Sequence, residues 1–166
     1  MRHYLFYTFL ILVLGVRAQV RNSAYDRTLK ALLSHSVKEL TVSKAHELKY
    51  CLLLDARERR EFEVSHIAGA RFVGYNDFDL QRLAGIDKNR KIIVYCSVGY
   101  RSEQIANKLI QAGYRDVSNL YGGIFEWVNE GYPVVNATGE PTMDIHAYNK
   151  VWSVWLDKGN KIYDSK

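Results

Sequence analysis

The stretch that most constrains this chain is Ile-Ile-Val-Tyr-Cys-Ser-Val-Gly-Tyr-Arg-Ser, residues 92–102, followed by a run of helical pattern. Its β-branched start predicts a strand over Lys91–Cys96, and the glycine-containing turn after it leads directly into a helix. Such a turn aims backbone N–H groups and the positive end of a helix dipole at its centre. The sulfur of Cys96 is expected there, where positive potential stabilises thiolate over thiol. Open α/β sheets place their sites at the C-terminal ends of strands. A free cysteine is ordinarily a small apolar core residue. Here Gly99 and Arg101, three and five positions on, favour a catalytic nucleophile.

The rest of the chain alternates strand and helix patterns around this unit. Leu29, Leu32 and Leu33 have helical spacing within a segment at 19–35, with the helix starting near Tyr25. Val37–Leu40 reads as extended, and Thr41 and Ser43 are good caps for a helix through Leu48. Tyr50–Leu54 is continuously apolar up to Asp55, the pattern of a strand buried on both faces. A charged helical turn over Arg57–Val64 precedes a short strand at Arg71–Val73, and Asp77–Leu83 is expected to be helical. Ile105, Ala106, Leu109 and Ile110 share one face of the helix after the cysteine turn, which stops at Gly113. Val117–Leu120 is a further strand, broken by Gly122-Gly123, and a helix through Phe125, Trp127 and Val128 follows. This order predicts an α/β fold with a mainly parallel central sheet flanked by helices on both faces. The core domain is expected at residues 36–135. In the extension 136–166, Tyr148, Trp152, Trp155 and Leu156 form an i, i+4, i+7, i+8 stripe that predicts an appended aromatic helix.

Residues 1–18 differ from everything after them. Arg2 and His3 give a positive start, Leu5–Gly15 is an apolar run, and Val16-Arg17-Ala18 suits a cleavage site before Gln19. This is the layout of a secretory signal peptide, and the run is short for a membrane span. The expectation is an exported protein, periplasmic or secreted, with no stable membrane insertion after cleavage. Removing Arg2 and Arg17 leaves 21 basic against 18 acidic residues, a net charge of +3. The basic residues are scattered and lack an aromatic-interleaved stripe, which argues against nucleic acid, while a mild positive field suits a small anionic substrate. No His, Cys, Asp and Glu cluster has metal-ligand spacing, and no cofactor is expected.

Exported proteins usually pair their cysteines, and beyond residue 18 this chain has Cys51 and Cys96. Cys96 ends its strand, whereas Cys51 precedes the end of its own strand by four residues. On parallel neighbours that offset is about 13 Å at ~3.3 Å per residue, beyond the ~7 Å Cα limit for a bridge. Cys51 is expected to be a buried thiol.

Four segments carry a family resemblance. Asp55-Ala56-Arg57, Glu61-Phe62 and His66-Ile67-Ala68-Gly69-Ala70 form the first; Cys96–Ser102 is the second. Leu120-Tyr121-Gly122-Gly123 with Trp127, and Gly131-Tyr132-Pro133-Val134, complete the set. In that order they resemble the rhodanese superfamily, over residues 36–135. The resemblance implies sulfur transfer through a persulfide on Cys96. The thiolate would take the outer sulfur of thiosulfate or a related small anionic donor, then pass it to cyanide, a thiol or an acceptor protein. Covalent catalysis of this kind divides the transfer into two easier steps. The loop residues Ser97, Val98, Gly99, Tyr100, Arg101 and Ser102 would bind the substrate, with Arg101 as a fixed positive charge for the donor. Asp55 reads as a turn or cap residue, Arg57 and Glu61 as an i, i+4 pair, and His66 as part of a connecting turn.

A phosphatase of the same fold is the competing class, with arsenate reduction a lesser one and a non-turnover persulfide carrier or binding module a third. Phosphatase loops of this type place five residues between Cys and Arg and commonly a His before the Cys. This chain has four, Ser97–Tyr100, after Tyr95. Both departures favour sulfur over phosphorus.

Overall fold

In the computed structural model, which describes residues 19–164, the Lys91–Cys96 unit stands at the middle of the sheet. Five parallel strands run in the order β1-β5-β4-β2-β3: β1 Glu39–Leu40, β2 Leu52–Asp55, β3 Arg71–Phe72, β4 Lys91–Tyr95 and β5 Asp116–Leu120. The alternate side chains of β4 enter two cores. Ile93 and Tyr95 join Tyr25, Leu29, Ile124 and Phe125 on one face, and Ile92 and Val94 join Leu54, Ile105 and Leu109 on the other. Burial on both faces explains why the central strand reads as an unbroken apolar run.

The helices are α1 Ser23–Leu32, α2 Val42–Glu47, α3 Arg59–Val64, α4 Tyr100–Gln111 and α5 Gly123–Asn129. Local chemistry sets their ends. Asn22 Oδ1 accepts the Ala24 and Tyr25 amides at the start of α1, and Thr41 caps α2. After α4, Gly113 takes φ +90°, Tyr114 N–H bonds Leu109 O at 3.1 Å and Gly113 N–H bonds Ile110 O at 2.9 Å, a Schellman stop. No helix among the described residues is long and apolar enough to cross a membrane. The expected signal peptide, residues 1–18, lies outside the described residues.

Three expectations are corrected here. Asp77–Leu83 forms only a 3-10 turn at Leu80–Leu83, because Asp77 is held by Arg82 and Asp79 spends its carboxylate on the Gln81 amide. Cys51 lies just ahead of β2 and is half-buried rather than buried. The C-terminal extension is not a helix. Its β7 Pro141–Thr142 pairs antiparallel with β6 Val134–Val135 at the end of the core domain, and β8 Asp144–His146 runs parallel to β9 Asn160–Ile162, with a 3-10 turn at Trp152–Trp155. Tyr148 has φ +63°, and Asn149 Oδ1 accepts the amides of Val151 and Trp152, so the chain turns where a helix would start. Trp155 stacks on Tyr25 of α1, with ring centroids 5.2 Å apart, which docks the extension on the first core.

Candidate active site

Cys96 follows β4 directly and is 1% exposed. The Gly99 amide donates to its Sγ at 3.1 Å. Gly99 is also the N-cap of α4 with φ +117°, a conformation that a side chain would resist. Its carbonyl accepts Asn119 Nδ2 at 3.0 Å, and Ser102 Oγ donates to Asn119 Oδ1 at 2.7 Å. Asn119, at the end of β5, therefore clamps the turn from beneath. Two amides of α5 hold the loop on its other side: Ile124 N–H bonds Cys96 O at 2.9 Å and Phe125 N–H bonds Ser97 O at 3.1 Å. This approach explains Gly123: at φ +58°, a Cβ there would stand 2.4 Å from Cys96 O.

Glu61 is the electrostatic hub. It accepts Arg101 Nη1 at 2.6 Å, Arg101 Nη2 at 2.8 Å, Ser97 Oγ at 3.2 Å and the Glu58 amide at 2.9 Å. Burial would raise its pKa, but the Arg101 bonds and charge overcome that and hold the carboxyl at about 2. Burial likewise opposes the charge on Arg101, and the Glu61 bonds and charge keep the guanidinium protonated.

The expected loop residues divide by position. Cys96, Ser97, Val98, Tyr100 and Arg101 line a pocket of about 350 Å³, whereas Gly99 contributes its amide to the sulfur. Ser102 is fully buried and faces Asn119, so it supports the turn and does not face the pocket. Arg101 is not a free charge awaiting an anion. It is 9% exposed and spent on Glu61, which a sequence read without its contacts does not reveal.

The Arg57–Glu61 pair is also corrected. Arg57 lies before α3 and binds Asp55 instead, with Nη2 to Oδ2 at 2.7 Å and both side chains fully buried. His66 Nδ1 meets Phe62 O at 3.0 Å and its ring stacks on Phe62 at 3.8 Å, away from the pocket lining. Sequence reading missed Leu32, Glu58, Arg60, Tyr75 and Asn76, which complete the pocket with Tyr148 and Trp152. The aromatic pair was visible as a stripe but not as a wall of the site. Among the described residues no group of three His, Cys, Asp or Glu side chains could hold a metal ion.

This arrangement is a buried thiol at a strand end, met by a loop amide and opening into a pocket. A family model described as Rhodanese-like domain matches residues 36–130. The chain belongs to the rhodanese-like domain family. Among its relatives are a sulfurtransferase from Allochromatium vinosum, 43% identical over 58 residues, covering 35% of this chain and 54% of that protein. The thiosulfate sulfurtransferase GlpE of Haemophilus influenzae is 32% identical over 102 residues, covering 60% of this chain and 95% of that one. A tRNA uridine(34) hydroxylase from Listeria welshimeri is 40% identical over 80 residues, covering 44% of this chain and 24% of that protein. This chain thus spans about half the length of the first of these relatives and a quarter of the hydroxylase. A solved rhodanese-like domain protein from Staphylococcus aureus is 26% identical with a TM-score of 0.51, covering 57% of this chain and 94% of that one. The rhodanese-like fold accounts for the parallel sheet, and proteins named sulfurtransferase stand among the relatives.

Proposed function

We propose that this rhodanese-like protein moves sulfane sulfur from thiosulfate or a related donor to a thiophilic acceptor through a persulfide on Cys96. The observation that carries this reading is the Cys96 sulfur itself, held by the Gly99 amide at 3.1 Å and lining the pocket. The Cys96 thiolate attacks the outer sulfur of the donor. A new S–S bond forms, the bond from that sulfur to the sulfonate breaks, and sulfite leaves with the electron pair. The Gly99 amide stabilises negative charge on Sγ before attack and after discharge. The names of relatives such as thiosulfate sulfurtransferase GlpE support this chemistry.

Arg101 acts in this scheme by position. Its bonds to Glu61 and Ser97 fix the loop between β4 and α4, so the sulfur meets its donor in a preset geometry. The pattern of residues 1–18 adds export, to the periplasm or outside the cell, to the proposal.

Incubation with thiosulfate, followed by intact mass spectrometry with and without cyanide, tests the reaction. The expected result is a gain of one sulfur atom that cyanide removes, absent from Cys96→Ser. A gain that no acceptor discharges would make the protein a carrier. Turnover of aryl phosphates with no added sulfur would overturn the reading. Cell fractionation with N-terminal sequencing tests export, with a start near Gln19 expected.

A further inference from the structure

The pocket around Cys96 is completed by three residues outside the family segment. Leu32 comes from α1, and Tyr148 and Trp152 come from the extension, beyond residue 130 where the family match ends. With Tyr75, Val98 and Tyr100 they make its wall apolar and aromatic. The cations that line it are already engaged: Arg101 binds Glu61 at 2.6 Å, and Arg60 Nε binds Asp164 at 3.0 Å. Glu58 adds a negative charge and accepts Asn76 Nδ2 at 2.9 Å. Such a lining leaves its apolar and aromatic side chains as the surface that an organic body would meet. A volume of about 350 Å³ with apolar walls is that of a small-molecule site.

The aromatic wall is held in place at a cost. Tyr148 adopts φ +63°, a left-handed conformation that non-glycine residues avoid. Its amide donates to Nδ1 of buried His146 at 3.2 Å, the other nitrogen of which meets Asp164 at 3.1 Å. Its ring lies 4.9 Å from the Arg101 guanidinium carbon. Trp152 is set by its amide bond to Asn149 Oδ1 at 3.0 Å, in the same turn whose Trp155 stacks on Tyr25. Strain kept at the mouth of a reactive cysteine points to a contact with substrate.

We propose that the sulfur acceptor is a low-molecular-weight organic thiol with an uncharged aromatic or branched apolar body, seated between Tyr148 and Trp152. The proposal rests on the Cys96 persulfide reading above. Cys96 is 1% exposed, and a protein cysteine carries its sulfur one methylene from its own backbone. A slender thiol enters without bringing main chain into the pocket. The acceptor thiol loses its proton to water, and its sulfur attacks the outer sulfur of the Cys96 persulfide. That S–S bond forms, the bond to Sγ breaks, and the Cys96 thiolate leaves with the electron pair. The product is an organic persulfide, and no outside oxidant or reductant is consumed.

The test loads the full chain with thiosulfate, removes the excess, and measures discharge by benzyl mercaptan and by 2-mercaptoethanol. The ratio of the two rates is compared across the native protein, Trp152→Ala and Tyr148→Asn. Asparagine tolerates the left-handed backbone, so the second variant removes the ring while sparing the turn. Each thiol's intrinsic reactivity cancels between proteins. The benzyl preference is expected to fall about ten-fold or more in each variant, the discrimination that an apolar contact supplies. An unchanged ratio in both variants overturns the proposal while leaving sulfur transfer intact. If thiosulfate adds no sulfur to the native protein, the persulfide reading itself falls, and the mass spectrum distinguishes that failure from the first.

Discussion

Four donor contacts converge on the Glu61 carboxylate, two of them from one guanidinium, and Glu61 is 1% exposed. Removing its charge strands Arg101, which is 9% exposed. Glu61→Gln is therefore expected to cost about 3–5 kcal/mol, the penalty of breaking one side of a buried pair, read from urea unfolding at neutral pH. The pair also sets a pH dependence. The folded carboxyl titrates at about 2 against an ordinary value of 4.5, so its stabilisation is complete above pH 4.5. It is lost as pH falls from there toward 2, because protonation favours the unfolded chain. The gap in urea midpoint between native and Glu61→Gln should narrow over that window and stay constant above it. A constant gap down to pH 3 would show that the Glu61 charge contributes little. Sequence spacing alone paired Glu61 with Arg57. That rule needs both residues inside one helix, and Arg57 stands two residues before α3 begins. A buried arginine was legible as a residue of interest, but its partner, forty positions away, was not.

At the scale of elements, the glycines separate close approach from mere turning. Gly123 and Gly113 both have positive φ, at +58° and +90°. A Cβ on Gly123 would collide with Cys96 O and with the backbone of Ser97, whereas nothing lies within 4 Å of one on Gly113. Gly113→Ala should cost about 1–2 kcal/mol of backbone strain and leave persulfide formation unchanged. Gly123→Ala should abolish or cripple persulfide formation, since the loop carbonyls bonded by Ile124 and Phe125 must move. Thermal unfolding and the thiosulfate mass shift read the two effects separately. The strand–turn–helix around Cys96 was legible because β4 is buried on both faces and α4 has a regular apolar stripe. The extension misled for the opposite reason. Its helical spacing of aromatics serves contacts with α1 and the pocket, while Asn149 and the left-handed Tyr148 turn the backbone away from a helix.

Over the whole molecule, the order of patterns was enough to anticipate a parallel sheet covered on both faces, since strands of this kind need helical crossovers. The pocket was not legible, because it gathers residues as distant as Leu32, Tyr75 and Trp152, which only the folded sheet brings together. The same topology decides the fate of the two thiols. Leu52 pairs with Ile92 and Asp55 with Tyr95, so Cys51 stands one residue before β2 and Cys96 one residue after β4. They lie at opposite ends of adjacent strands, about 16 Å apart at ~3.3 Å per residue, well beyond bridging distance. Burial also pushes the Cys51 thiol above its ordinary pKa, which lowers its thiolate fraction. An oxidising buffer should therefore leave both thiols free in the folded monomer, and thiosulfate should add sulfur to Cys96 alone. Cys51→Ser should keep the transfer and lose about 1 kcal/mol of stability at most, as expected for a half-buried site. Intact mass under non-reducing conditions decides the matter. Loss of two hydrogens per chain, restored by a reductant, would mean that the ends of the sheet come together in solution and that Cys51 resolves the Cys96 persulfide.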